Sequence, residues 1–280
     1  MISYVQAAVL GLLQGVTELF PISSLGHTII LPSLLGWHLD QASPQFVGFV
    51  VLTHLATALV LLGFFWQDWV HIVKGVIRSL YQRKVFQMDT YAKLGWLIIV
   101  STIPVGLLGI LFEKPLTRLF ADPHLVAGVL IANGVVLYVA ELLRTKARKG
   151  AESDAAISHL TWKQAVGIGF AQCFALIPGF SRTGLTMTGS LVSGLSHENA
   201  LRYAFLLATP VIFAAAVLKV PHLFTHGGGV LGPSLFGAFC AAVAAYVSIR
   251  FLTKYFKTNK LTPFAVYCVV AGVASLFILS

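Results

Sequence analysis

The sequence predicts an all-α integral membrane protein. Its two halves form an inverted repeat, with six transmembrane helices and two re-entrant helical hairpins. Three observations predict this. The chain of 280 residues is 57% hydrophobic and only 10% charged, against about 25% charged in an ordinary soluble domain. Apolar runs of about 20 residues, each enough to cross roughly 30 Å of hydrocarbon, recur along it. Shifted by 158 positions, residues 4–28 match 162–186 at seven of 25 positions: Gln6 on Gln164, Ala7 on Ala165, Gly11 on Gly169, Gln14 on Gln172, Ser23 on Ser181, Gly26 on Gly184 and Thr28 on Thr186. A duplicated unit is the reading, supported by hydropathy that repeats around the matches.

Taken in order, segments 4–20 and 24–36 are too short or broken to span. The Pro and Ser rich tip between them suits a hairpin that enters and leaves on one side. Spans are expected at 46–66, 94–112 and 124–143. Segment 67–93, rich in aromatic and basic residues, suits an amphipathic surface helix. Residues 144–163 form a linker, and 164–177 with 183–195 make the second hairpin. Spans at 203–218, 230–252 and 262–279 complete the chain. The single membrane domain thus divides into repeats 1–143 and 164–280. Three crossings per half invert the second repeat against the first and bring the broken helices together near the midplane. Leu55-Ala56-Thr57 recurs as Leu207-Ala208-Thr209 in the equivalent span. That recurrence supports duplication and helix packing more than catalysis; Thr53, His54 and Asn133 are further polar residues inside spans.

Basic residues set the orientation. Lys74, Arg78, Arg83, Lys84, Lys93, Arg144, Lys146, Arg148, Lys149, Lys163, Arg202, Arg250, Lys254, Lys257 and Lys260 fall on one side, 15 of the 19. Lys114, Arg118 and Lys219 fall on the other, and Arg182 lies in the second tip. The basic side is expected to be cytoplasmic, with both termini outside a bacterial plasma (inner) membrane. No Lys or Arg precedes Lys74, so a retained N-terminus is expected over a cleaved signal peptide. The net charge of +9 is spread over short segments between spans, which points to anionic lipid headgroups and away from nucleic acid. Cys173, Cys240 and Cys268 have no metal or redox spacing and read as small buried hydrophobes. Gly227-Gly228-Gly229, with no Lys-Ser/Thr after it, is a loop and no P-loop.

The chemistry concentrates in the two tips. Glu18 is a carboxylate at membrane depth, which costs at least about 2.5 to 3.5 kcal/mol on insertion scales unless it faces a cavity, an ion or a partner. Gln14 lies one helical turn earlier, and the two oxygen-bearing side chains can share a hard cation such as Mg²⁺ or Ca²⁺. In Pro21-Ile22-Ser23-Ser24-Leu25-Gly26-His27, Pro21 ends one half-helix, Ser23 or Ser24 caps the next, and that helix start is a natural phosphate site. His27 lies one turn into the returning helix. The second tip, Pro178 to Thr188, carries Arg182, whose fork binds phosphate oxygens bidentately. Its bland alternative is an ion pair with Glu18 that welds the tips. Ser181, Thr183 and Thr186 can donate to the same anion, although small hydroxyls also pack membrane helices.

QGVTELFPISSLGH resembles the (E/Q)xxxE and PxSSxxH region of the bacterial undecaprenyl-diphosphate phosphatase family associated with bacitracin resistance. PGFSRTGLT resembles the family's PGxSRSxxT motif. The likeness extends over essentially the whole chain. It implies a membrane hydrolase that removes the terminal phosphate of undecaprenyl diphosphate, using Mg²⁺ or Ca²⁺, to recycle the carrier lipid of cell-wall peptidoglycan synthesis. It also implies a site facing the outer side. Glu18 and Gln14 match the first motif's metal-binding positions, with Gln14 where many members have Glu. Ser24 and His27 match the proposed catalytic Ser and His, and Arg182 the phosphate-binding Arg. Ser23, Ser24, Ser181, Thr183 and Thr186 are the hydroxyls expected near phosphate, Thr183 replacing a Ser.

The mechanism expected from this pattern places His27 as general base or nucleophile, with Ser24 and water as the other candidate nucleophiles. Arg182 and the cation stabilise the transferred phosphoryl group. The expected partners are the prenyl diphosphate lipid and surrounding membrane lipids, and the sequence leaves a homodimer open. The rival class is a transporter that flips undecaprenyl phosphate, since inverted repeats with paired hairpins are a transporter architecture. A bare scaffold leaves Glu18 and Arg182 at depth unexplained.

Overall fold

The computed structural model describes residues 2–41, 43–85, 89–112, 122–144, 157–226 and 230–279, the last nine residues of the fifth stretch by backbone alone. Among these residues the chain is all helical, with eleven α-helices, one 3₁₀ turn and no strand. Linker residues 145–156, with Lys146, Arg148 and Lys149, lie outside the described residues, as do Lys114, Arg118, Gly227 to Gly229 and the Lys219 side chain.

Helix α1 (Tyr4–Thr17) starts in a capping box, Ser3 accepting from the Gln6 amide while the Gln6 side chain reaches back to Ser3. The chain turns at the first tip into α2 (Ser24–Leu34), capped by Ser23. α1 stops at Thr17, before the expected Pro21, with Glu18 as its C-cap. Then come α3 (Pro44–Phe64), α4 (Trp66–Gln82), α5 (Thr90–Leu111) and α6 (Pro123–Leu143). Pro44 and Pro123 sit just inside their helices behind Ser43 and Asp122 caps, where a missing N–H costs nothing.

The same sequence of devices recurs in α7 (Trp162–Cys173), opened by a Thr161–Gln164 capping box and followed by the 3₁₀ turn Phe174–Leu176. α8 (Arg182–Val192) is capped by Ser181. α9 (His197–His226), α10 (Leu231–Tyr255) and α11 (Thr262–Leu279) follow. Among the described residues six helices are long and apolar enough to cross a membrane: α3, α5, α6, the His197–Val217 part of α9, α10 and α11. α9 begins six residues before the expected span and runs beyond it, because nothing between His197 and Leu206 breaks the helix. The surface helix expected over 67–93 ends at Gln82, where Arg83 adopts a left-handed conformation with φ 48°. α4 buries Ile72, Gly75 and Ser79 on one face and exposes Tyr81 and Leu80 on the other.

Short helices pack on long ones. α1 lies against α10, and α7 against α5; α6 pairs with α11, and α3 with α9. Around them, Leu59, Ile103, Phe239 and Val270 point outward, an apolar exterior suited to lipid. At one end of the bundle, Glu141 accepts from the Leu261 amide at 3.1 Å and lies 2.8 Å from His197 Nε2, tying α6 to the starts of α9 and α11.

Close approach of α1 to α10 needs glycine. A Cβ on Gly11 would fall 2.2 Å from the Gly237 carbonyl oxygen, and one on Gly237 would fall 2.8 Å from that of Ala7. These are backbone atoms that no rotamer change moves. Gly11→Ala is therefore expected to push the helices apart and cost about 1–3 kcal/mol, read as a lower unfolding temperature in detergent. An unchanged temperature would show that this contact does not hold the first hairpin.

Candidate active site

The two tips meet. Arg182 opens α8 and its Nη2 pairs with Glu18 Oε1, at the end of α1, 164 residues away. Both side chains are largely buried, 15% and 7% exposed. Three further contacts stitch the tips: Thr183 Oγ1 donates to the Glu18 carbonyl at 3.0 Å, Ser181 Oγ donates to the Phe20 carbonyl at 3.4 Å, and a bridge runs through Asn133. Asn133 is fully buried on α6. Its Nδ2 donates to the Pro21 carbonyl at 3.1 Å and its Oδ1 accepts from the Ser181 amide at 3.0 Å. One side chain thus fixes both tips. Ser23 carries φ 71°, which few non-glycine residues adopt, so the first tip is held in an uncommon conformation.

The other Glu18 oxygen is crowded. Oε2 accepts from Ser24 Oγ and from Gln14 Nε2 at 3.1 Å, and lies 3.0 Å from His54 Nε2 on α3. His54 Nε2 is also 3.4 Å from Ser24 Oγ. The other ring nitrogen of His54 is 2.7 Å from the Val50 carbonyl, which only accepts, so Nδ1 carries a hydrogen. Glu18, Ser24, His54, Ser181 and Arg182 line one pocket of about 240 Å³, whose remaining walls include Val105, Val211 and Ile212.

Of the other expected site residues, Ser181 lines the pocket, while Gln14, Ser23, His27, Thr183 and Thr186 do not. His27 does not line this pocket: its Nδ1 is 2.7 Å from the Ser23 carbonyl, its Nε2 is 2.8 Å from the Tyr267 hydroxyl, and its ring stacks on Tyr267. Ser23 spends its hydroxyl on the Gly26 amide, and Ser181 accepts from Gly184 in the same way. Thr183 serves the Glu18 carbonyl. Thr186 is buried on α8, its hydroxyl without a partner among the described residues. Sequence reasoning missed His54 and Asn133 as members of the site. The signal available was their position as polar side chains inside spans, where such groups are costly.

The oxygen donors fit a hard cation in a limited way. Gln14 Oε1 is buried beside Glu18 and has no hydrogen-bond partner among the described residues. No group of three or more His, Cys, Asp or Glu able to hold a metal occurs among them. Gln14 turns Nε2 toward Glu18 Oε2, so one carboxylate and one amide oxygen would match Mg²⁺ binding of the kind completed by substrate phosphates and water only with the Gln14 amide turned over.

The family model described as "Bacitracin resistance protein BacA" matches residues 7–274. A protein named undecaprenyl-diphosphatase from Mycolicibacterium paratuberculosis is 46% identical over 298 residues, covering 98% of this chain and 97% of that protein. Undecaprenyl-diphosphatase 2 of Burkholderia ambifaria is 47% identical over 266 residues, covering 94% and 92%. Undecaprenyl-diphosphatase of Acidiphilium cryptum is 44% identical, covering 98% and 97%.

Proposed function

The chain belongs to the bacitracin resistance protein BacA family, and from that premise we propose that it works at the meeting of its two tips as an undecaprenyl-diphosphatase. It hydrolyses undecaprenyl diphosphate to undecaprenyl phosphate and inorganic phosphate, returning the carrier lipid to cell-wall synthesis, an activity that fits bacitracin resistance. The observation that carries the siting is the Glu18–Arg182 contact in a pocket with Ser24.

The pocket suggests the following roles. Arg182, released from Glu18 by the incoming diphosphate, binds the terminal phosphoryl oxygens and stabilises their charge during transfer. Ser24 Oγ attacks the terminal phosphorus; the Oγ–P bond forms, the bridging P–O bond breaks, and undecaprenyl phosphate leaves. The hydroxyl proton passes to the adjacent Glu18–His54 pair. Water then attacks the phosphoserine; its O–P bond forms, the Oγ–P bond breaks, and Ser24 regains its proton from the Glu18–His54 pair as phosphate leaves. A divalent cation, Mg²⁺ or Ca²⁺, held by Glu18 and Gln14 Oε1, supplies further charge neutralisation of the diphosphate when bound. His27, with both ring nitrogens engaged, is a positioning residue for the first tip in this reading.

Two features support inverted repeats with re-entrant hairpins. The capping boxes at Ser3 and Thr161, and the caps at Ser23 and Ser181, recur at the same 158-residue shift. Under exchange of the halves, α1 on α10 becomes α7 on α5, while α6–α11 and α3–α9 each map onto themselves. The pocket is walled by Val47 and Val51 early in α3, Val105 late in α5 and Ala215 late in α9, the ends farthest from the basic segments. That placement supports an outward, periplasmic site in the bacterial inner membrane.

Purified protein in detergent is expected to release phosphate from undecaprenyl or farnesyl diphosphate with Mg²⁺ or Ca²⁺, and to stop with chelator. Under single turnover with terminally labelled substrate, the label is expected on Ser24. Label on His27 would overturn the assignment of the nucleophile, and no release with any divalent cation would overturn the enzyme reading.

A further inference from the structure

One apolar cavity has no role in the chemistry described. It is a groove of about 520 Å³ between α4, α5 and α9, lined by Trp69, Ile72, Ile99, Ile103, Gly106 and Pro210 among others. Its one hydroxyl lining group, Thr102, donates to the Ile98 carbonyl of its own helix at 2.8 Å, and the Trp69 indole N–H is buried, so the lining is almost wholly apolar. Its size is that of a ligand site.

Its position ties it to the phosphate pocket. On α5, Val105 faces the phosphate pocket and the next two residues, Gly106 and Leu107, face the groove. On α9, Pro210 faces the groove and the next two, Val211 and Ile212, face the pocket. The two cavities are therefore separated only by the α5–α9 seam at this level. Pro104 and Pro210 lie inside these helices here, and each removes a backbone N–H that would otherwise bond within its helix. A Cβ on Gly106 would meet nothing within 4 Å, so the groove is open where it reaches the seam.

The geometry points to this groove as the binding site of the substrate's isoprenoid tail, which leaves the phosphate pocket across the α5–α9 seam and lies along α4 and α5. This rests on the undecaprenyl-diphosphatase reading. A C55 tail is far too long for the 240 Å³ pocket and has to continue beyond it, whereas a C15 tail reaches a much shorter way past the phosphates. The occupant is thus a long, flexible, wholly apolar chain whose head is already held at Glu18 and Arg182, and a membrane acyl chain has no such anchor.

Gly106→Leu fills the groove at the seam without touching the phosphate pocket. It is expected to lower kcat/KM for undecaprenyl diphosphate roughly tenfold or more, from lost apolar burial, and to change that for farnesyl diphosphate less than about twofold. Equal effects on the two substrates, whether loss or retention, would overturn the proposal. As a measurement independent of that variant, an undecaprenyl diphosphate analogue with a photoreactive group at mid-tail should label α4 and α5 of the wild type around Ile72 and Ile103. Labelling confined to other helices would overturn it. Failure of the wild type to hydrolyse either substrate would instead count against the diphosphatase reading itself.

Discussion

Glu18→Ala and Arg182→Ala are each expected to lower phosphate release by roughly a thousandfold or more. Removing one preorganised charge from a site where charge develops costs about 10²–10³ in rate on its own. Each change also strips a buried partner from the other charge, which costs about 3–5 kcal/mol of stability. The two effects can be separated. In the double variant Glu18→Gln with Arg182→Gln no buried charge is left unpaired at this contact, so its unfolding temperature should recover much of what each alanine variant loses. Its activity should not recover, because no cation faces the phosphoryl oxygens. A double variant that regained both would show the Glu18–Arg182 pair to be a weld between the tips with no part in the reaction. The measurements are thermal unfolding in detergent and phosphate release from farnesyl diphosphate, the shorter substrate being chosen so that tail binding does not enter.

The second large effect is expected at Asn133, which touches no substrate. Replacing it by Leu keeps the branched shape and removes both bonds, leaving the Ser181 amide and the Pro21 carbonyl buried without their partner. Unsatisfied buried groups cost about 1–3 kcal/mol each, so a loss of about 2–5 kcal/mol is expected. Because the same bonds fix the two tips relative to each other, kcat should also fall, by roughly 10–100-fold, while KM moves little. Misplacement of reacting groups by about an ångström has effects of this size. Steady-state kinetics beside thermal unfolding checks both parts. Lower stability with an unaltered kcat would confine Asn133 to the fold.

These two predictions differ in how far the sequence reached them. Glu18 and Arg182 are legible from the chain alone, because a charge inside an apolar run has a solvation cost that demands a reason. The six long apolar helices are legible for a related cause: the bilayer fixes their length and leaves helices with few alternatives. Capping residues mark most of the helix starts, since a free N–H must find an acceptor close by in sequence.

Asn133 and His54 were readable only as polar residues in spans. The partners of Asn133 lie 112 and 48 residues away, and His54 reaches Ser24 across 30 residues; no periodicity or spacing encodes such meetings. His27 shows the converse. Its place in the motif associates it with the reaction, yet the partner of its outer ring nitrogen, Tyr267, lies 240 residues away on α11.

What the sequence by itself determined was the solvent, the six long apolar helices, and the residue types gathered at each tip, because each follows from transfer free energy or from hydrogen bonds made within a few residues. Only the tertiary structure decided which of those side chains share a cavity. Helix packing places Ser24, His54 and Arg182 around Glu18 and turns His27 toward Tyr267, and contacts between distant helices carry no local signature in the chain.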